Sequence, residues 1–318
     1  MLHNVTSHKK KEKTMAHNNH VIDGINKEIN PEYPNRDTYL KMTKGFVSKL
    51  PPVVIEEVMG FQVAREDLLG HGGTKARAGE WLVSKIEEDT LVYSMPRVGH
   101  APCAIVSLAN LYNKKVVLFA PACKRITNHQ AAAIELADKL GVSLKVKWRR
   151  IAAMPNLNRM GAKWAKENNA AWLPFGLNHP GTIAGFTRIC QNLLEAGFEE
   201  PKEVWTVVST GVLTRGLQIG FENADMRGVC VARNMKKGEL GRTKIWSEPR
   251  GFTSRERKEN LPPFDTVATY DGKGWKYMLQ HGRPGALFWN VAGELDPSSA
   301  FDYSEGAIDC YRDWGEIR

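Results

Sequence analysis

The sequence predicts an α/β protein with mostly parallel sheets. Three observations carry this. Short β-rich runs alternate with longer helical patterns through most of the chain, the rhythm of strand–helix–strand units. Several of the β-rich runs are nearly all apolar, as strands covered on both faces must be. The chain has 318 residues, 42% hydrophobic and 25% charged, enough to bury a sizeable core in about two domains.

Residues 1–35 are polar, rich in Asn, His and Lys, and lack periodicity. They read as a disordered basic arm. The arm has no apolar segment behind its lysines, so it does not read as a secretory leader. Strands are expected at 61–65, 91–94, 115–119, 143–148, 171–175, 204–209, 228–232 and 286–291. Helices are expected between them at 76–87, 101–112, 129–140, 156–167, 181–196, 214–223 and 273–281. The first helix is amphipathic, with Trp81, Leu82 and Ile86 at helical spacing. Residues 235–263 break the rhythm, being rich in Lys, Arg, Glu and Gly with few apolar residues. An insertion, a lid or a substrate-facing loop would have that composition.

Composition excludes several classes. No apolar run approaches the ~20 residues that cross a bilayer. The cysteines are Cys103, Cys123, Cys190, Cys230 and Cys310. Their odd number and the lack of a C-x-x-C pair argue against a disulfide framework or a cysteine zinc site, and for a reducing, cytoplasmic setting. His100, His129, His179 and His281 show no H-x-x-x-H spacing, so no metal site is expected. Lysine and arginine total 44 against 35 acidic residues, a net charge of +9. The tail Lys9–Lys10–Lys11–Glu12–Lys13 supplies +3, and a second cluster is Lys145, Lys147, Arg149 and Arg150. Solvated faces explain such clusters; a nucleic-acid partner explains them too. Trp148, Trp164, Trp172, Trp205 and Trp275 read as core or rim aromatics rather than a base-stacking platform.

The most informative stretch runs from Arg65-Glu66-Asp67 through Gly70-His71-Gly72-Gly73-Thr74-Lys75-Ala76-Arg77. A charged strand end passes through three glycines and delivers a lysine at a helix start. A lysine desolvated at such a turn has a lowered pKa, which a Schiff-base lysine needs. A solvent-exposed lysine at a helix start fits the same letters. Glu66 and Asp67 read as ion-pair partners for Arg65 or Arg77.

This stretch resembles the lysine motif of fold-type II pyridoxal-phosphate (PLP) enzymes, Gly-Gly-(Asn/Thr)-Lys-x-Arg. The branch it is most similar to holds 1-aminocyclopropane-1-carboxylate deaminase and D-cysteine desulfhydrase, related to the tryptophan synthase β chain. The resemblance implies a two-domain, three-layer α/β fold, with a smaller domain over 78–173 inserted into a larger one of 36–77 and 174–318. It implies that Lys75 carries PLP as a Schiff base. In family order, Ser209, Thr210, Gly211 and Thr214 stand where the phosphate is cradled. Asn178 lies in a segment similar to the family's pocket edge, Tyr270 in an element placed near the cofactor, and Asn290 at the strand end beside the pyridine nitrogen. Departures are as informative. Gly99 and His100 stand where the family has Ser and Asn facing the ring, and Val291 where a Ser or Thr bonds the nitrogen. His100 is then expected to stack on, or bond, the cofactor; a histidine that simply opens a helix fits the same place.

The expectation is a PLP-dependent enzyme of lyase or deaminase type acting at the α and β carbons of a small amino-acid-like substrate, with Lys75, Tyr270 and His100 catalytic. The family also implies a homodimer. Two other readings stay open. One is a PLP enzyme acting on an amino-acid moiety attached to a nucleic-acid base, as in DNA hypermodification. The other is a non-catalytic binding protein of the same fold.

Overall fold

A computed structural model of the chain describes residues 35–122, 126–150, 153–232, 235 and 239–295. Cys123, Cys310 and the expected basic arm lie outside the described residues, apart from Asn35, whose side chain caps the first helix. The helices are α1 (Arg36–Met42), α2 (Gly73–Ser84), α3 (Ala101–Leu111), α4 (Asn128–Leu140), α5 (Met154–Glu167), α6 (Pro180–Glu195), α7 (Val212–Gly220) and α8 (Asp271–His281). The strands are β1 (Ile55–Val58), β2 (Phe61–Arg65), β3 (Thr90–Ser94), β4 (Lys115–Pro121), β5 (Leu144–Arg149) and β6 (Ala171–Trp172). They continue with β7 (Glu203–Val208), β8 (Asp225–Cys230), β9 (Lys244–Ser247) and β10 (Leu287–Asn290).

Two sheets form. The first has the order β5-β4-β3-β6 and is parallel throughout. The second has the order β1-β2-β10-β7-β8-β9, parallel except for the β1–β2 pair. All strands of the first sheet come from residues 90–172; the second draws on both sides of that stretch. Side chains alternate between two covered faces. On β10, Leu287 and Trp289 enter one core and Phe288 the opposite one. On β4, Val116, Leu118 and Ala120 face α3 and α4, while Val117 and Phe119 face α5. This is why these strands read as unbroken apolar runs. Trp205, Trp275 and Trp289 are fully buried, each worth about 3 kcal/mol of transfer free energy.

Helix α2 joins the two halves. Ala76, Trp81, Leu82 and Val83 pack in the first core and Ala78 in the second. It lies so close to α6 that a Cβ on Gly185 would meet the Ala78 carbonyl at 2.2 Å.

Several elements depart from expectation. β1 and β9 are edge strands with exposed, charged residues, so they lack the apolar signature. The region 235–263 therefore contributes a sheet edge as well as loop. The strand expected at 171–175 is paired only over Ala171–Trp172, because Pro174 leads into a 3-10 turn over Phe175–Leu177. α2 starts at Gly73 rather than Ala76, which puts Lys75 inside the first helical turn.

Candidate active site

A cavity of about 490 Å³ opens at the carboxyl ends of the parallel strands of both sheets. Gly72, Thr74 and Lys75 follow β2; Pro96 to Ala101 follow β3; His129 follows β4. Val207 stands at the carboxyl end of β7, Ser209 to Leu213 follow it, and Val291 and Ala292 follow β10. Ligands of open α/β sheets bind at such ends.

Lys75 is held by its neighbours. The Thr74 amide donates to the Val291 carbonyl at 2.8 Å, and Trp289 Nε1 donates to Thr74 Oγ1 at 2.9 Å. Gly73 has φ +46°, and a Cβ there would meet the Val291 carbonyl at 2.1 Å. Only glycine allows this turn to press against β10. Arg77 donates through Nε to both Glu66 carboxylate oxygens, at 2.7 and 2.8 Å, in a buried pair. Asp67 pairs with Arg65 at 2.7 Å. The motif's charges thus brace the turn. Lys75 faces the cavity, its Nζ donating to the Gly176 carbonyl at 3.2 Å. The Gly176 amide in turn donates to the Tyr93 hydroxyl at 3.0 Å. Burial lowers the Lys75 pKa to about 8, since desolvation disfavours the ammonium.

Ser209, Thr210 and Gly211 line the cavity at the start of α7. Gly211 has φ +77° and occupies the N-cap without a side-chain bond. Free amides and hydroxyls at a helix N-terminus attract an anion. Thr214 is not in the wall. Its Oγ1 sits 2.8 Å from Thr206 Oγ1 in the core, because at the third position of α7 its side chain turns toward β7.

Tyr270 lines the cavity, and its hydroxyl donates to the Val207 carbonyl at 3.0 Å. Burial raises its pKa, so the phenol stays protonated. Asn178 and Asn290 are not in the wall. Asn178 Oδ1 accepts from Arg215. Asn290 donates to Asp67 Oδ1 at 2.8 Å and the Asp265 carbonyl at 2.9 Å, and accepts from Thr266 Oγ1 at 2.8 Å. Strand alternation turns Asn290 away and leaves Val291 and Ala292 facing the cavity.

His100 lines the cavity with His129, their ring centroids 5.4 Å apart and edge to face. Neither nitrogen of His100, nor Nδ1 of His129, has a partner within the protein. Burial, then His129 and Lys75, push the His100 pKa down to about 3. His100 is therefore a neutral imidazole that can donate and accept. His129, Tyr93, Thr74, Phe252 and Thr253 also line the cavity and were not singled out in the sequence as binding residues. His129 had one readable signal: like His100, it opens a helix after a strand. Among the described residues no group of three or more His, Cys, Asp or Glu could hold a metal, and no helix is long and apolar enough to cross a membrane.

No protein-family model matches the sequence, and no curated protein does. Solved structures match the fold. An aminocyclopropane-carboxylate (ACC) deaminase homologue superposes with a TM-score of 0.64 at 16% identity, over 86% of this chain and 98% of its own. Processed threonine deaminase isoform 2 of Solanum lycopersicum gives 0.60 at 12% identity, over 86% and 88%. Maize serine racemase gives 0.58 at 12% identity, over 88% and 97%. Similarity over nearly the whole length of each neighbour places the chain in the fold of the fold-type II PLP enzymes.

Proposed function

We propose that this chain is a PLP-dependent enzyme acting on an amino-acid group, of lyase or deaminase type. The observation that carries the reading is Lys75: an amine of lowered pKa, fixed by the Gly72–Gly73 turn and facing a cavity of about 490 Å³. The donor set fits the cofactor. Lys75 would hold its carbonyl carbon covalently. Ser209, Thr210 and Gly211, with the first amides of α7, would hold its phosphate. Bound PLP supplies an electron sink for the pair released when a bond at the substrate α-carbon breaks.

The remaining chemistry belongs to the chain. Lys75, once free, takes a proton from the α-carbon and returns one, with a pKa suited to both directions near neutrality. His100 offers a neutral donor and acceptor beside it. Tyr270 keeps its proton and leaves a lone pair for a donor in the site. Gly99 supplies no hydroxyl where the deaminase motif has serine, which argues against the ring-opening deaminase reaction itself. The two sheets are proposed as cores of two domains, 78–173 and 36–77 with 174–318.

The test is an absorbance spectrum of the purified chain with PLP, before and after borohydride, for wild type and Lys75→Ala. A visible band that reduction fixes on Lys75 is expected. No band in wild type, or the same reduced adduct in the variant, removes the enzymatic reading and leaves a binding protein of this fold. A second reading places the amino-acid group on a nucleic-acid base; the clustered cations of β5 favour it, and a screen should include aminoacylated DNA beside free amino acids.

A further inference from the structure

Between Asp138 and Glu167 the sequence has eight cationic residues, Lys139, Lys145, Lys147, Arg149, Arg150, Arg159, Lys163 and Lys166, and no acidic one. That is +8 of a net charge of +9. The structure gathers six of these on one face. β5 is the edge strand of the first sheet, and Lys145, Lys147 and Arg149 alternate along it. They pair in register with Val117, Phe119 and Pro121 of β4. Val117 and Phe119 belong to the face that α5 covers, so these three cations emerge beside α5. On α5, Leu157, Gly161 and Ala165 are buried. Arg159, Lys163 and Lys166 fall on the opposite stripe and are exposed.

Trp164 of α5 links the helix to β5. Lys147 Nζ lies 5.1 Å from its ring centroid. Arg149 lies 5.5 Å from the Phe119 ring. Among the described residues, the carboxylate in ion-pair range of these six cations is Glu167, 3.7 Å from Lys163. Partial burial, and then Lys145 and Arg149, lower the Lys147 pKa, the sign of neighbouring charges that nothing neutralises. Unpaired cations on one face would repel each other without a counter-charge, and a dense linear array of phosphates supplies one.

We propose that the face formed by β5 and α5 binds the phosphate backbone of DNA. Parallel pairing puts the carboxyl end of β5 beside those of β3 and β4, which lead into the cavity wall at Pro96–Ala101 and His129. The row Lys145–Lys147–Arg149 therefore ends on the side of the sheet where the cavity opens. Trp164 contributes its ring to the face as a platform for Lys147 rather than as base readout, so binding is independent of base sequence.

The full chain, without added PLP, is titrated against a labelled DNA duplex of about 20 base pairs by fluorescence anisotropy across salt concentrations. With six phosphate contacts, log K should fall with log[salt] with a slope of about −5, and binding should remain measurable at about 0.15 M salt. The variant Lys145→Glu/Lys147→Glu/Lys163→Glu should bind at least about tenfold more weakly, with a slope nearer −3. The milder Lys→Gln version at the same positions should fall between. Both should keep the wild-type far-ultraviolet circular dichroism and a cooperative melting transition, which shows them folded. Lys9, Lys10, Lys11 and Lys13 are changed to Gln in a separate variant. The proposal is overturned by no binding at about 0.15 M salt, by equal binding of the face variant, or by loss confined to the tail variant. Equal competition by polyglutamate also overturns it, because charge alone would then suffice. None of these outcomes bears on Lys75 or the cofactor.

Discussion

A lysine amine in water is almost wholly protonated at pH 7, with a neutral fraction of roughly 0.03%. At the pKa of about 8 that burial gives Lys75, the neutral fraction is roughly 10%. Position alone thus raises the reactive form some 300-fold. The capture rate of PLP by the chain should rise about tenfold per pH unit from 6 to 7 and level off above about 8. Stopped-flow absorbance reads this; a rate still climbing at pH 10 would show an ordinary lysine. The sign for stability follows from the same shift. Between about 8 and 10.5 the unfolded state holds the extra proton, so folding stability rises with pH in that window. His100 and His129 make the complementary case. Their unpartnered nitrogens contribute nothing to the fold that a ring of similar shape would not. His100→Phe should leave the ligand-free melting temperature unchanged or raised, while abolishing spectral changes when amino acids are added to the PLP-loaded chain. A clear loss of stability would instead make His100 structural.

At the scale of elements, the turn before α2 is the tightest constraint. Gly73→Ala adds a Cβ 2.1 Å from the Val291 carbonyl, at a φ of +46°. A cost of about 2–5 kcal/mol is expected from strain and overpacking together, read as a lower denaturation midpoint and loss of the visible band with PLP. The interior strands were legible because both of their faces are covered: Val204 and Trp205 of β7 are adjacent and enter opposite cores. β1 and β9 were not, since Glu56, Glu57 and Lys244 on edge strands carry no apolar period. The site divides the same way. Lys75, Ser209, Thr210 and Gly211 sit on local motifs that strand–turn–helix order makes readable. Asn290 lies outside the wall, and Val291, one residue on, lines the cavity. Phe252 and Thr253 reach the wall only through a buried network far along the chain. Lys273 Nζ donates to the Gly251 and Phe252 carbonyls at 2.8 and 3.2 Å, and no local pattern announces that.

Across the whole molecule, the cavity is walled by both sheets, so whatever fills it ties two cores together. One wall rests on charge. Arg250 pairs with Glu248 and Glu256, and Lys276 reaches the same carboxylates at 3.0 and 3.2 Å. Burial alone would raise both carboxyl pKa values, but hydrogen bonds from Arg250, with help from Lys276, bring each down to about 2. Their folded pKa values lie below the unfolded ones, so their stabilisation is present above about 4.5 and lost as pH falls toward 2. Acid should therefore loosen the β9 side before the first sheet, whose cores are apolar. Cofactor binding should act in the opposite direction and on both sheets together. A ligand at a hundred times its dissociation constant adds about 2.7 kcal/mol to a fold that alone can bind it. In a chain of this length that amounts to a rise of several degrees in melting temperature. Calorimetry at pH 7.5 should show one transition moving upward with PLP in wild type. Gly211→Ala, which strains the α7 start at φ +77° and pushes a Cβ to 2.4 Å from Leu240 Cδ2, should melt lower and show a much smaller rise with PLP. If wild type instead gave two transitions of which PLP moved one, the ligand would be bound by a single sheet, and the cavity between them would not be the site.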